Sequence, residues 1–190
     1  NYNLAPQYGT KSKSFTGSGS IFYIQNIEDT SLYKITYGLT GSYSSFAPDL
    51  FVKRDSPFLT FSFRDHADFR SNKFQAINFR YIGISRDEDI NNISGNTDPD
   101  YKVFNARYIN TNPGLINYYK WFTDFQLSKD FGKLSFNFEY RKLFESNRQL
   151  NIRFFAGAFL YNNNPTDTDF FSFALDRPTD YLFDYNYLGR

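Results

Sequence analysis

An all-β fold, an antiparallel transmembrane β-barrel built as a meander of long hairpins, is what this sequence predicts. Three observations predict it. Apolar and polar residues alternate with period two over most of the chain, the mark of strands with one greasy and one polar face. The alternating runs are about twice the ordinary strand length of ~5–6 residues. They match the ~9–11 residues that a tilted strand needs to cross a bilayer. The greasy face is aromatic: with 24 Phe and 16 Tyr among 190 residues, aromatics reach 22%, yet 22% of the residues are charged and mean hydropathy is −0.57. A chain this aromatic and this polar must sort the two kinds of residue finely, and strand alternation does that.

The elements follow in order. Residues 1–12 are polar and read as a lead-in segment, and the strands are expected within 13–190. Phe15 to Tyr23 alternates through Gly17, Gly19 and Ile21. Tyr33, Ile35, Tyr37, Leu39 and Tyr43 alternate with Lys34, Thr36, Gly38, Thr40 and Ser42. Residues 44–57, with Pro48, Asp49, Lys53, Arg54, Asp55 and Pro57, read as a loop. Leu59, Phe61 and Phe63 form a strand face, and a charged turn from Asp65 to Asn72 follows. Ile77, Phe79 and Tyr81 oppose Asn78 and Arg80. Asp87 to Asp100 is the longest expected loop. Phe104, Ala106 and Tyr108 lead to a tight turn at Asn112-Pro-Gly114, residue types that set turn geometry.

Tyr119, Trp121, Thr123, Phe125 and Leu127 alternate with Lys120, Asp124, Gln126 and Ser128, with Phe122 the exception. Leu134, Phe136, Phe138 and Tyr140 alternate with Ser135, Asn137, Glu139 and Arg141. Leu150 to Leu160 supplies the next face. Phe171, Phe173 and then Tyr181 to Tyr187 continue the rhythm around Pro178. The count is about nine strands, an odd number where bacterial barrels favour even ones. The closing strands are therefore expected outside this chain.

In such a barrel the aromatic face meets lipid and the polar face lines the lumen. Tyr119, Trp121, Phe125, Leu134, Phe136, Phe138 and Tyr140 are the expected lipid-facing residues. Arg64, Arg80, Arg107, Lys120, Asp124, Glu139, Arg141 and Arg153 are the expected lumen-facing residues. A soluble β-sandwich also alternates, but its core face is mostly aliphatic and its strands are shorter. Closure further removes the exposed edges that long strands would otherwise carry.

Other function classes find little support. A net charge of +1 supplies no electrostatic footprint for nucleic acid. The absence of cysteine excludes disulfides, thiolate metal sites and cysteine nucleophiles. No positively charged segment followed by an apolar run opens the chain, and methionine is absent, so a piece of a longer product is expected. No apolar run approaches the ~18 residues of a membrane helix. His66 sits between Asp65 and Asp68 in a charged turn, and a solvated turn explains it better than a metal site. No zincin, phosphate-loop or Gly-x-Ser-x-Gly motif occurs, so no catalytic residue and no cofactor is expected here. Asp87, Asp89 and Asn91 offer oxygen ligands for Ca²⁺ but lack EF-hand spacing, and a polar loop is the simpler account. Asp167-Thr-Asp169 is weaker still.

Two stretches carry a resemblance. Arg153-Phe-Phe-Ala-Gly157 and Ala174-Leu-Asp-Arg-Pro-Thr-Asp-Tyr-Leu-Phe-Asp-Tyr185 resemble the C-terminal region of gluzincin-type, aminopeptidase-like metallopeptidase proteins of Bacteroidota. There a peptidase-like domain is followed by an outer-membrane β-barrel. The family's zinc residues belong to another domain and match nothing here. The resemblance implies a non-catalytic membrane anchor of a larger cell-envelope protein. Its expected partners are outer-membrane lipid and lipopolysaccharide, and subunits of an outer-membrane secretion or assembly complex. Two alternatives remain open: a solute channel or porin, motivated by the inward charges, and a secreted sugar-binding β-domain, motivated by Trp121 and the many Tyr and Asn.

Overall fold

The computed structural model describes residues 1–9, 14–28, 31–47, 50–64, 72–86, 100–145 and 148–163. They form one antiparallel sheet whose nine strands follow chain order: β1 (Tyr2–Gly9), β2 (Ser14–Asn26), β3 (Leu32–Ala47), β4 (Leu50–Phe63), β5 (Phe74–Arg86), β6 (Asp100–Pro113), β7 (Asn117–Leu127), β8 (Phe131–Leu143) and β9 (Gln149–Asn162). The described residues contain no helix. The sheet is a meander in which each strand pairs with its chain neighbours. It does not close: β1 pairs with β2 and β9 with β8, leaving one edge of each open among the described residues.

Two readings are corrected. The lead-in segment is a strand, since Tyr2–Gly9 pairs along its whole length with Ser14–Ile21. Its alternation was hidden because Leu4, Pro6 and Tyr8 are spaced by short polar or small residues. Residues 44–47 and 50–57 are strand and not loop. β3 runs to Ala47 and β4 starts at Leu50. Alternation persists there: Val52 and Ser56 are buried while Lys53, Asp55 and Pro57 are exposed. Pro57 stands in a gap of the β4–β5 ladder, between the pairs Asp55–Gly83 and Phe58–Arg80, as expected of a residue with no N–H to donate. The nine strands therefore lie within residues 2–162. The stretch from Phe171 onward, including the Ala174–Tyr185 motif, lies outside the described residues. So do His66, Asp87, Asp89, Asn91, Asp167 and Asp169.

The β6–β7 turn falls at Gly114, as Asn112-Pro-Gly114 predicts. A side chain on Gly114 would collide with the Asn117 carbonyl oxygen, so glycine is required for this tight reversal.

The sheet is strongly staggered. One row of residues in common register starts at Tyr2 and passes Ile21, Leu39, Pro57, Tyr81, Phe104, Leu127 and Gly132 to Tyr161; its neighbours are ladder pairs except Pro57 and Tyr81, which the flanking pairs Asp55–Gly83 and Phe58–Arg80 set level with each other. Tyr2 opens β1, whereas Tyr161 stands next to last in β9. β1 and β9 run in the same direction, so the ladder slips by most of a strand length across the sheet. Such a one-way slip tilts strands relative to the sheet axis, and it is the geometry that barrel closure demands. Every member of the row is apolar or glycine, which pins the register: slipping one residue would swap the two faces.

Candidate functional site

Pairing register sorts the side chains onto two opposed faces. Rows on one face read Thr60–Asn78–Arg107–Asp124–Ser135 and Lys120–Glu139–Arg153. Rows on the other read Leu59–Phe79–Ala106–Phe125–Leu134–Ala158 and Ile77–Tyr108–Thr123–Phe136–Ala156.

The polar face is the shielded one. Asn105, Asp124, Gln126, Lys133 and Asn137 on this face are 0–5% exposed. The aromatic face is the open one: Tyr37, Phe79, Tyr81, Phe104, Leu134, Ile152 and Phe154 are 36–54% exposed. This inverts the partition of a soluble domain, where polar groups avoid burial and contiguous apolar patches are kept small.

On the polar face, Asp124 of β7 is the hub. Arg107 Nε donates to its Oδ1 at 3.1 Å and Arg107 Nη2 to its Oδ2 at 3.2 Å. Asn105 Nδ2 donates to Oδ1 at 2.6 Å and Gln126 Nε2 to Oδ2 at 2.7 Å. Arg80 joins through Nε and Nη2, which donate to Asn105 Oδ1 at 2.9 and 2.6 Å. Three strands are thus tied by one charge-assisted cluster, in which both carboxylate oxygens accept two bonds each. Arg153 Nε donates to Asn137 Oδ1 at 3.3 Å between β9 and β8. Phe122, the break in the alternation, sits on this polar face with the Arg107 guanidinium 5.2 Å from its ring centre, an aromatic seat for a cation. Sequence reading missed it because an apolar residue among polar ones carries no local signal of a cation above it.

At one end of the polar face the residues turn apolar. Val52, Ile82, Ile84, Tyr101, Val103 and Phe131 form a buried cluster with Phe159 against it. Lys133 spans Phe131 and Phe159, its Nζ 6.0 Å from each ring centre.

The aromatic face is knitted diagonally. Tyr108 packs on Trp121 at 5.0 Å, Trp121 on Phe136 at 6.0 Å and Phe136 on Phe154 at 6.3 Å. The directly opposed partners are smaller, Thr123 for Tyr108 and Ala156 for Phe136, so each ring leans to the next large neighbour. The run Tyr119 to Leu127 on this face holds no charge. At roughly 3.3 Å per residue it spans ~25 Å along the strand, comparable to the ~25 Å apolar band of outer-membrane barrels before tilt shortens it.

The structure brings the sequence-predicted sets together as sets. Arg80, Arg107, Lys120, Asp124, Glu139, Arg141 and Arg153 share the polar face. Tyr119, Trp121, Phe125, Leu134, Phe136, Phe138 and Tyr140 share the aromatic face. Arg64 follows the last residue of β4, with its guanidinium 4.9 Å from the Tyr33 ring centre. Among the described residues no three metal-ligating side chains gather, and no helix is long and apolar enough to cross a membrane. No protein family, curated protein or solved structure matches this chain.

Proposed function

We propose that this chain forms the wall of an outer-membrane β-barrel and anchors a larger cell-envelope protein, without catalytic work of its own. The supporting observation is the inverted partition: buried Asn105, Asp124, Gln126 and Lys133 on one face, and on the other an aromatic face that carries the exposed Phe79, Tyr81, Phe104, Leu134 and Phe154 and the uncharged run from Tyr119 to Leu127. In water that face would be a large unfavourable surface. Against lipid it is the stable arrangement, with polar side chains turned away from hydrocarbon. The stagger from Tyr2 to Tyr161 supports closure into a barrel. The parent protein would be of the Bacteroidota metallopeptidase-like kind that the C-terminal motifs resemble, docked on other outer-membrane subunits.

The test is purification of the expressed chain with and without detergent. A folded, monodisperse species is expected only with detergent or lipid. A folded monomer in detergent-free buffer would falsify the proposal.

A channel is the second reading, and charge favours it. On the polar face Lys34, Arg54, Arg80, Arg107, Lys120, Lys133, Arg141 and Arg153 stand against Asp124 and Glu139. A cationic lining selects anions. Reconstituted full-length protein that conducts, with anion selectivity, would support it; a sealed bilayer sinks it.

A further inference from the structure

We propose that the aromatic face carries a binding site for the headgroup of a zwitterionic phospholipid, in the step where β6 outruns the β7–β8 hairpin. The ladder between β6 and β7 begins at Phe104 opposite Leu127. Asp100 and Lys102 therefore project past the end of β7, and the hairpin closes beside them at Ser128–Asp130. Ser128 Oγ donates to the Lys102 carbonyl at 2.9 Å and Tyr161 Oη donates to the Ser128 carbonyl, which fixes the walls of the step. The result is a cavity of ≈ 810 Å³, on the scale of a small-molecule site.

Its lining is graded. Tyr81, Phe104, Leu127 and Tyr161 form the wall next to the uncharged band, and they are 36–48% exposed. Asp55, Asp100, Lys102, Lys129 and Asp130 form the opposite wall. Gly83 lies between Asp55 and Lys102 in the same row, and the Asp55 carboxylate leans over it, with Oδ2 3.0 Å from where a Cβ would stand. Among the described residues no ion pair joins these five charges to one another or to any other group. Opposite charges held apart around a hollow are poised for a ligand that carries both signs.

A phosphoethanolamine headgroup fits that pattern. Its phosphate would meet Lys102 and Lys129, its ammonium Asp55 and Asp100, and its acyl chains would run down over Tyr81, Phe104 and Leu127. The site lies where the apolar band gives way to charge, the depth at which headgroups and interfacial aromatics meet. An anionic lipid would leave the three carboxylates opposed to its charge. The assignment rests on the membrane reading above.

The test uses the full chain refolded into nanodiscs of equal phosphatidylethanolamine and phosphatidylglycerol, released and examined by native mass spectrometry. The wild type is expected to retain phosphatidylethanolamine in preference to phosphatidylglycerol by about tenfold, the worth of one charge-assisted bond. The double variant Lys102→Glu, Lys129→Glu is expected to lose that preference. Asp55→Asn with Asp100→Asn is expected to shift it towards phosphatidylglycerol while both proteins keep wild-type circular dichroism. Equal retention of the two lipids by the wild type overturns the proposal, as does a preference that survives both double variants. A protein that enters nanodiscs normally but carries no lipid also overturns it and leaves the membrane reading standing. Failure to enter nanodiscs overturns the membrane reading itself.

Discussion

Arg107 grips Asp124 through two hydrogen bonds, at 3.1 and 3.2 Å, across directly paired positions of β6 and β7. Asp124 is 5% exposed and Arg107 27%. The carboxylate also accepts from Asn105 and Gln126, so its removal takes four hydrogen bonds from three side chains. Asp124→Ala is expected to destabilise the folded state by about 3–5 kcal/mol, the usual cost of breaking a shielded pair from one side. Urea unfolding in lipid vesicles measures it. Replacing Arg107 and Asp124 together with Met and Leu should cost less than Asp124→Ala alone, because no charge is left unpaired.

Phe136 lies mid-strand on the aromatic face between Trp121 and Phe154. If that face meets lipid, Phe136→Arg should cost about 2–4 kcal/mol near the bilayer midplane. Phe136→Leu should cost far less. Equal tolerance of Arg and Leu at this position would place it in water instead.

Trp121 is the sole tryptophan, so it reports its surroundings without engineering. Its row is flanked on β8 and β9 by Phe138 and Phe154. Its fluorescence is expected to be strongly quenched by lipids brominated along the acyl chain and little affected by iodide in solution. The reverse pattern would contradict lipid contact.

Two glycines of β3 make a matched comparison. A side chain on Gly38 would strike the Ile21 carbonyl oxygen and come within 2.6 Å of Phe22 Cβ. Gly41 has only the Arg54 carbonyl oxygen near, at 3.7 Å. Gly38→Ala should destabilise by about 1–3 kcal/mol through overpacking. Gly41→Ala should be neutral or stabilising by up to ~1 kcal/mol, because it removes backbone freedom from the unfolded chain. Thermal unfolding of both variants in the same detergent separates the two outcomes.

Much of the fold was legible in particular residues. Leu134, Phe136, Phe138 and Tyr140 against Ser135, Asn137, Glu139 and Arg141 already assigned two faces, and the pairing of β8 with β7 and β9 keeps them apart. The strand at Tyr2–Gly9 and the upper half of β4 were not legible. Pro6 and Pro57 are local turn signals, and the ladders from β2 and β3 overrode them.

Alternation is a local property: successive side chains on an extended chain must point to opposite sides, so the sequence by itself determined which residues share a face. That places Lys120, Asp124 and Glu139 together and Trp121, Phe136 and Tyr140 together. Which of them touch depends on register, and register belongs to pairs of strands. Only the tertiary structure decided that Asp124 meets Arg107, 17 residues away, that Phe122 seats that arginine, and that Lys102 stands beyond the end of its neighbour. The physical reason is that the slip between strands is set by all the rows at once, as the apolar row from Tyr2 to Tyr161 displays, and no single strand contains it.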